Sequence, residues 1–423
     1  MAKTAANKTN KATNRSGQNV REPALKRSIT LPLLVFYGLG NILGAGIYVL
    51  VGEIAGIAGF YAPFAFLVAA TVATFTAFTY GELASRYPLS AGEAVYVQHG
   101  FNKKWLSIVT GLLIALGGMV SAATITRGFV GYLKLLIELP DPMVIVVVLT
   151  ILAGIAIWGI SESILIAALF TLFEILGLLL IVWVGRDALT NIHQTLPDLI
   201  PPFQGEALSM VMIGGFLAFF AYMGFEDMVN VAEEVKNPSR NLPLAIIIAL
   251  VISTLLYALV SIVAVSTTSP DALAASESPL ALVYETNTQK QPYFITFIGL
   301  FAVINGALIQ MIMASRILYG MSRNQWLPAF FGHVNAKTRT PINATISVAI
   351  LVATLALFIP LVTLASMTSF VLLVVFVLLN LALLLIKHRE PVPAGVKTIP
   401  VWIPLFGFLS SLGLVISRFF LIS

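Results

Sequence analysis

Residues 38 to 50 read GLGNILGAGIYVL. They lie in an apolar run from Leu31 to Ala58. The run exceeds the roughly 20 residues that a bilayer crossing needs. Gly38, Gly40, Gly44 and Gly46 are crowded together, with Asn41 among them. Each interior glycine costs a helix about 1 kcal/mol relative to alanine. The stretch therefore predicts a crossing helix that breaks near its centre. A break exposes backbone N–H and C=O groups, and in lipid each unsatisfied group costs several kcal/mol. It persists only where it lines a polar cavity or meets a ligand. The half-helix after the break starts with free N–H groups and a positive dipole end, which suits a carboxylate. The half-helix before it ends in free C=O groups, which suit an ammonium. A zwitterion fits such a site without any charged side chain. The plainer alternative is close helix packing through small-xxx-small patterns such as Gly40-xxx-Gly44.

The chain has 423 residues, 58% hydrophobic and 10% charged, and a mean hydropathy of +0.95. Soluble domains carry about 25% charged residues, so the composition is that of a polytopic membrane protein. With no cysteine, disulfides and thiolate metal sites are excluded. The four histidines show no metal-ligand spacing. No GxxxxGK[ST] loop supports ATP drive, and no constellation is placed for catalysis, so an enzyme is not expected. Residues 1–28 read as a basic disordered tail. A secretory signal is not expected: the first apolar segment is too long, with no small-residue cleavage pattern after it. Apolar segments at 31–57, 61–85, 105–137, 142–160, 163–185, 207–234, 241–266, 292–321, 341–359, 361–386 and 400–420 predict about 11 helices. Lys and Arg alternate in phase between loops: the tail, Arg86 with Lys103 and Lys104, Lys236 with Arg240, Arg323 with Lys337, and Lys387 with Arg389 mark one side. By the positive-inside rule the N-terminus is cytoplasmic and the C-terminus outside. The net charge of +5 thus describes topology, and no nucleic-acid partner is expected.

A second Gly-interrupted helix sits five spans later, in GGFLAFFAYMGFED at 214–227, where Gly224 precedes Glu226 and Asp227. Broken helices in matching positions of two halves point to an inverted-repeat transporter. The halves are expected at 29–186 and 207–388, with one further helix at 400–420.

At these residues the chain resembles the amino acid–polyamine–organocation (APC) superfamily of permeases. The matching motifs are GNILGAGIYVLVGEIAG at 40–56, YGELASRYPLSAGEAVYVQHGF at 80–101, GFEDMVNVAEEVKNPSRNLPLAI at 224–246 and ASRILYGMSRNQWLP at 314–328. The resemblance implies a leucine-transporter-like fold and transport of amino acids or amines. Many members have one helix more. Carried over by position, Ile42, Gly44, Ala45 and Gly46 would hold the substrate carboxylate. The backbone around Phe220, Ala221 and Met223 would meet the amino group, with Gly224 part of the same substrate site. Phe225 would be an aromatic gate, and Ser121 with Ala45 and Met223 would set side-chain space. Apolar Ala45 and Met223 point to a small neutral amino acid. The implied motion is rocking of helices one, two, six and seven against three, four, eight and nine.

Ionisable residues inside spans are functional candidates by default. Glu174 lies about 12 residues, roughly 18 Å, from either end of its helix and is too short to snorkel. It is the proton-coupling candidate, against a purely structural carboxyl or a Na⁺ ligand. In several relatives this position resembles a lysine, so the sign is reversed here. Glu226 is either a ligand for the substrate amine or, with Asp227, a helix cap in a vestibule. Glu53 is expected near the outer face. Glu82, Glu93, Glu233 and Glu234 with Arg86 and Arg240 suggest ion pairs at the inner gate, and Arg127 a structural role near the outer interface. The expected protein is a proton-coupled amino acid permease of the plasma (cell inner) membrane without a cofactor. The alternatives are an amino acid/amine exchanger, a Na⁺-coupled permease and a transport-silent sensor. Homo-oligomerisation or a small membrane subunit is open.

Overall fold

The computed structural model describes residues 27–88, 92–158, 164–202, 204–338, 340–391 and 396–420. Side chains at Ala45, 164–168, Asn230, Glu233 and 419–420 lie outside that description, as does the tail through residue 26. The described chain is helical, and its lone β-bridge joins Ile29 to Val235. The helices are α1 (Leu31–Ile42), α2 (Ala45–Ala58), α3 (Ala62–Arg86), α4 (Gly92–Phe101), α5 (Lys104–Lys134), α6 (Asp141–Trp158) and α7 (Ile164–Val184). Then follow α8 (Arg186–Thr190), α9 (Ile192–Leu199), α10 (Gly205–Ala218), α11 (Pro238–Thr267), α12 (Pro270–Ala274) and α13 (Pro279–Thr288). The last are α14 (Tyr293–Arg323), α15 (Ile342–Phe358), α16 (Leu361–Arg389) and α17 (Trp402–Phe420).

Among the described residues, seven helical stretches are long and apolar enough to cross a membrane, and four shorter apolar helices accompany them. The protein is an all-α polytopic membrane protein. Large apolar side chains such as Trp158, Leu255, Phe301 and Phe358 face outward, as a lipid-solvated surface requires.

Local chemistry sets the helix ends. Proline in the first turn opens α1, α3, α11, α12 and α13, where its missing N–H costs nothing. At α12, Ser269 Oγ also accepts from Ala272 N. The expected spans agree with the helices to within a few residues. Sequence reading missed α4, α8, α9, α12 and α13, which are short and lie in connections.

Packing pairs α3 with α11 and α5 with α14, while α16 lies against α5 and α17 against α16 and α3. Small residues let backbones approach: Gly100 meets Ala382, and Gly128 meets Val49. Between α3 and α16, Asn380 Nδ2 donates to Thr76 Oγ1 at 3.0 Å, and Thr79 Oγ1 donates to Asn380 Oδ1 at 2.6 Å. That buried polar set is matched within itself, which is what an apolar surround demands.

Candidate binding site between two broken helices

The first break lies between α1 and α2. Leu43 N still bonds Leu39 O at 2.7 Å, but Gly44 leaves the helix with φ −57° and ψ −136°. The second break is longer. After α10 the chain tightens into a 3₁₀ turn at Phe219–Tyr222, extends at Met223, turns at Gly224 with φ +118°, and continues as 3₁₀ over Glu226–Glu234. The half-helix after Gly224 is thus 3₁₀ and not α.

The two breaks face each other. A Cβ on Gly224 would stand 2.5 Å from Asn41 O, so both the positive φ and the close approach require glycine. A Cβ on Gly46 would run into the Ala221 backbone. Tyr257 of α11 joins them. Its hydroxyl lies 2.5 Å from Ile42 O and 2.8 Å from Ala221 O. These carbonyls belong to the two interruptions, and the single hydroxyl hydrogen can be given to either one.

A narrow cavity of about 30 Å³ lies beside the breaks, lined by Asn41, Ile42, Gly44, Gly46, Ser121, Ile125, Phe220, Met223, Gly306, Ile309 and Gln310. At about 10–15 Å³ for each water, the cavity has room for two or three waters. The expected residues Ile42, Gly44, Gly46, Ser121, Phe220 and Met223 come together here. Ala45 begins α2, but its side chain is outside the described set. Ala221 stands behind the wall and gives its carbonyl to Tyr257. Gly224 backs onto Asn41.

Phe225 and Glu226 do not line the cavity. Phe225 is fully buried, with ring centroids 5.6 Å from Tyr80 and 5.5 Å from Phe376. Glu226 Oε2 accepts the Gly224 N–H at 2.8 Å, and Asp227 Oδ2 accepts from Gln310 Nε2 at 3.2 Å. Both acids are buried and not solvated. They hold the turn and tie it to α14.

Glu174 is buried in α7. Neither carboxylate oxygen has a hydrogen-bond partner among the described residues. The Tyr48 hydroxyl donates to its main-chain oxygen at 2.7 Å. The carboxyl interacts electrostatically with Tyr48 and with Tyr257, whose hydroxyl joins the breaks.

Toward the end carrying Arg86 and Arg389, the site is sealed in layers. The Tyr80, Phe225 and Phe376 rings form the first, and the Tyr80 hydroxyl donates to Glu93 Oε1 at 3.1 Å. Burial pushes the Glu93 carboxyl up to about 7, and the charge of Asp227 adds to the shift. Next, Ile29 N bonds Glu234 O at 3.1 Å and Lys236 N bonds Ile29 O at 2.9 Å. The outermost layer centres on Glu82, which meets Arg86 at 2.6 Å and Lys387 at 2.7 Å and accepts from Ile399 N at 2.8 Å. The expected Glu82–Arg86 pair exists, but it is buried, and Lys387 is a partner that sequence reading did not supply. Toward the opposite end, the Tyr132 hydroxyl donates to Tyr48 O at 2.8 Å. Arg127 caps the C-terminus of α15, with Nε 2.7 Å from Ala356 O.

Sequence reading missed Tyr257, Ile125, Gly306, Ile309 and the lining role of Asn41 and Gln310. Two signals were present. Asn41 and Gln310 are uncharged polar residues inside spans. Tyr257 is a tyrosine at mid-helix, away from the interfacial belts where the residue is usually enriched.

A profile of the "Amino acid permease" family matches residues 29–422. The chain is similar to cationic amino acid transporter 3, mitochondrial, of Arabidopsis thaliana, with 30% identity over 391 residues, 87% of this chain and 63% of that one. It is also similar to two Bacillus subtilis (strain 168) proteins. One is the branched-chain amino acid permease BcaP, 29% identical over 88% of this chain and 83% of that one. The other is the methylthioribose transporter, 27% identical over the same shares. The chain spans less than two thirds of the length of the plant relatives named cationic amino acid transporters 2, 3 and 4. The match along nearly the whole sequence, with two interrupted helices meeting at a common cavity, places the chain in the amino acid permease family of the APC superfamily.

Proposed function

We propose that this protein is a secondary transporter of small neutral L-amino acids, coupled to protons and working by alternating access. The observation that carries the reading is the meeting of two helix breaks at one cavity without charged side chains. The first turn of α2 offers free N–H groups to a substrate carboxylate. Asn41 Nδ2, buried and without a hydrogen-bond partner among the described residues, is a further donor. Carbonyls around Phe220 and Ile42 serve the ammonium. Ile125, Met223 and Ile309 surround the substrate side chain, and an apolar wall disfavours a cation there. One relative is named a branched-chain permease and others cationic transporters; the uncharged lining favours the neutral class.

Two repeats, 29–186 and 207–388, followed by the crossing at 400–420, make eleven spans in this reading. Three observations support it: the breaks stand in corresponding positions, α3 packs on its counterpart α11, and α5 packs on its counterpart α14, each of the last two being 31 residues long. The basic end faces the cytoplasm, the tail lies inside and the C-terminus outside, in a plasma membrane. Glu174 carries the proton: it is buried, its carboxylate has no hydrogen-bond partner among the described residues, and it interacts electrostatically with Tyr257.

The test is uptake of radiolabelled amino acids into proteoliposomes with and without an inward proton gradient, for the native chain and Glu174→Gln. Gradient-driven accumulation that the variant loses while still exchanging substrate supports the assignment. Uptake that ignores the gradient and needs internal substrate makes the protein an exchanger and Glu174 structural.

A further inference from the structure

A second cavity, of about 190 Å³, lies between α2, α5, α6 and the α12–α13 connection, with Glu53, Arg127, Asp141 and Glu277 on its wall. Along α2 it starts at Val49 and reaches Glu53, seven residues beyond Gly46 of the lower cavity, or about 10 Å. Along α5 it reaches Arg127, six residues beyond Ser121, or about 9 Å. The two cavities therefore stack, separated by Val49 seated on Gly128 and by the Tyr132–Tyr48 bond.

The charges on this wall divide into two sets. Lys134 holds both acids at the rim, at 3.1 Å from Asp141 and 2.8 Å from Glu277. Glu53 and Arg127 remain. Both are half-buried, and neither has an ion-pair partner within 4.0 Å among the described residues. Arg127 is fixed by two carbonyls at the end of α15, Ala356 O at 2.7 Å and Leu357 O at 3.3 Å. A guanidinium has five N–H donors, so donors remain for a ligand. An opposite pair held apart on one cavity wall is complementary to a molecule that carries both charges. The space holds on the order of ten or more waters at roughly 10–15 Å³ each, room enough for a small amino acid.

We propose that this cavity is an outer staging site for a zwitterionic amino acid, its carboxylate on Arg127 and its ammonium on Glu53, above the site between the breaks. The proposal rests on the transport reading above. Main-chain charges are engaged here and the side chain is not, so the staging site accepts amino acids more broadly than the lower one.

The native chain lacks cysteine, so Ala275→Cys, on the exposed cavity wall, gives a single reporter in the full-length protein. Maleimide attachment is timed with L-alanine, L-leucine and L-arginine in turn. A second background, Gly306→Trp, fills the lower cavity; Ser121→Phe fills it from α5 if the tryptophan variant does not fold. Expected is at least a roughly fivefold slowing by one of these amino acids in both backgrounds, abolished by Arg127→Gln and by Glu53→Gln. Protection that survives both charge substitutions overturns the proposal. So does protection that vanishes when the lower cavity is filled. If nothing protects while native proteoliposomes accumulate an amino acid, the staging site is refuted and the transport reading stands. If nothing protects and nothing is accumulated, both fall.

Discussion

Tyr257→Phe removes one oxygen from the contact between the two breaks. The ring contacts survive the change, since Tyr257 packs on Tyr222 at 5.1 Å and on Phe66 at 5.7 Å. Only the hydroxyl, 2.5 Å from Ile42 O and 2.8 Å from Ala221 O, is lost. Its single hydrogen satisfies one carbonyl at a time, so the variant gains one buried acceptor without a partner. That costs about 1–3 kcal/mol. Both carbonyls belong to the segments that form the cavity, so the cost falls on substrate binding as well as on folding. If it fell on binding alone, KM would rise roughly 5- to 150-fold. The assay is concentration-dependent uptake into proteoliposomes, with KM and Vmax fitted separately and melting followed in detergent. The reasoning predicts a raised KM with a modest loss of melting temperature. Unchanged KM and Vmax would refute it. A melting loss with native kinetics would reduce Tyr257 to a structural contact.

Gly46→Ala should push the Ala221 backbone away; overpacking of this kind costs about 1–3 kcal/mol, and uptake should fall roughly tenfold or more at constant expression. Lys387→Met removes one of the two cations on buried Glu82 and leaves Arg86 as its partner, so the cost should stay below the roughly 3–5 kcal/mol of an uncompensated buried charge. Thermal melting in detergent should show a loss, and adding Glu82→Gln, which strands Arg86, should deepen it; a native melting curve in the single variant would count against the network. Glu93→Gln should change how stability varies with pH. The folded carboxyl titrates near 7, above its ordinary value, so the folded state holds the proton more tightly. Native stability then falls as pH rises from about 4.5 to 7, by roughly 3 kcal/mol, and stays reduced above that range. The glutamine variant should lack this fall and melt higher than the native chain at pH 8 but not at pH 4; parallel curves would reject the assignment.

The long helices were legible because each is an apolar run bounded by proline, glycine or charge. The first break was legible because four glycines fall within nine residues. The second was placed only in part. Gly224 marks its end, but the helix has already tightened at Phe219, in an aromatic FFAY segment that carries no breaker. What opens the chain there is tertiary: Gly46 occupies the space beside Ala221, and Tyr257 takes its carbonyl. Helix α4 went unread because ten residues between Pro88 and Asn102 show little periodicity. Glu226 reads as a cap or ligand in sequence, and only coordinates reveal that it folds back onto Gly224 N. The burial of Glu82 with Lys387 joins residues some 300 positions apart, which local pattern does not encode.

The short bridge at Ile29 has a mechanical consequence. The α1 segment is fastened to the chain after Gly224 at two places: near Asn41, where the backbones touch, and at Ile29, where main-chain bonds close. Two fastenings along one rod prevent both sliding and swivelling. Helix α1 and residues 226–234 therefore behave as a single lever, whose fulcrum falls at Gly44 and Met223, where neither chain is helical. In the proposed alternating-access cycle, opening the basic end would then turn both broken helices together.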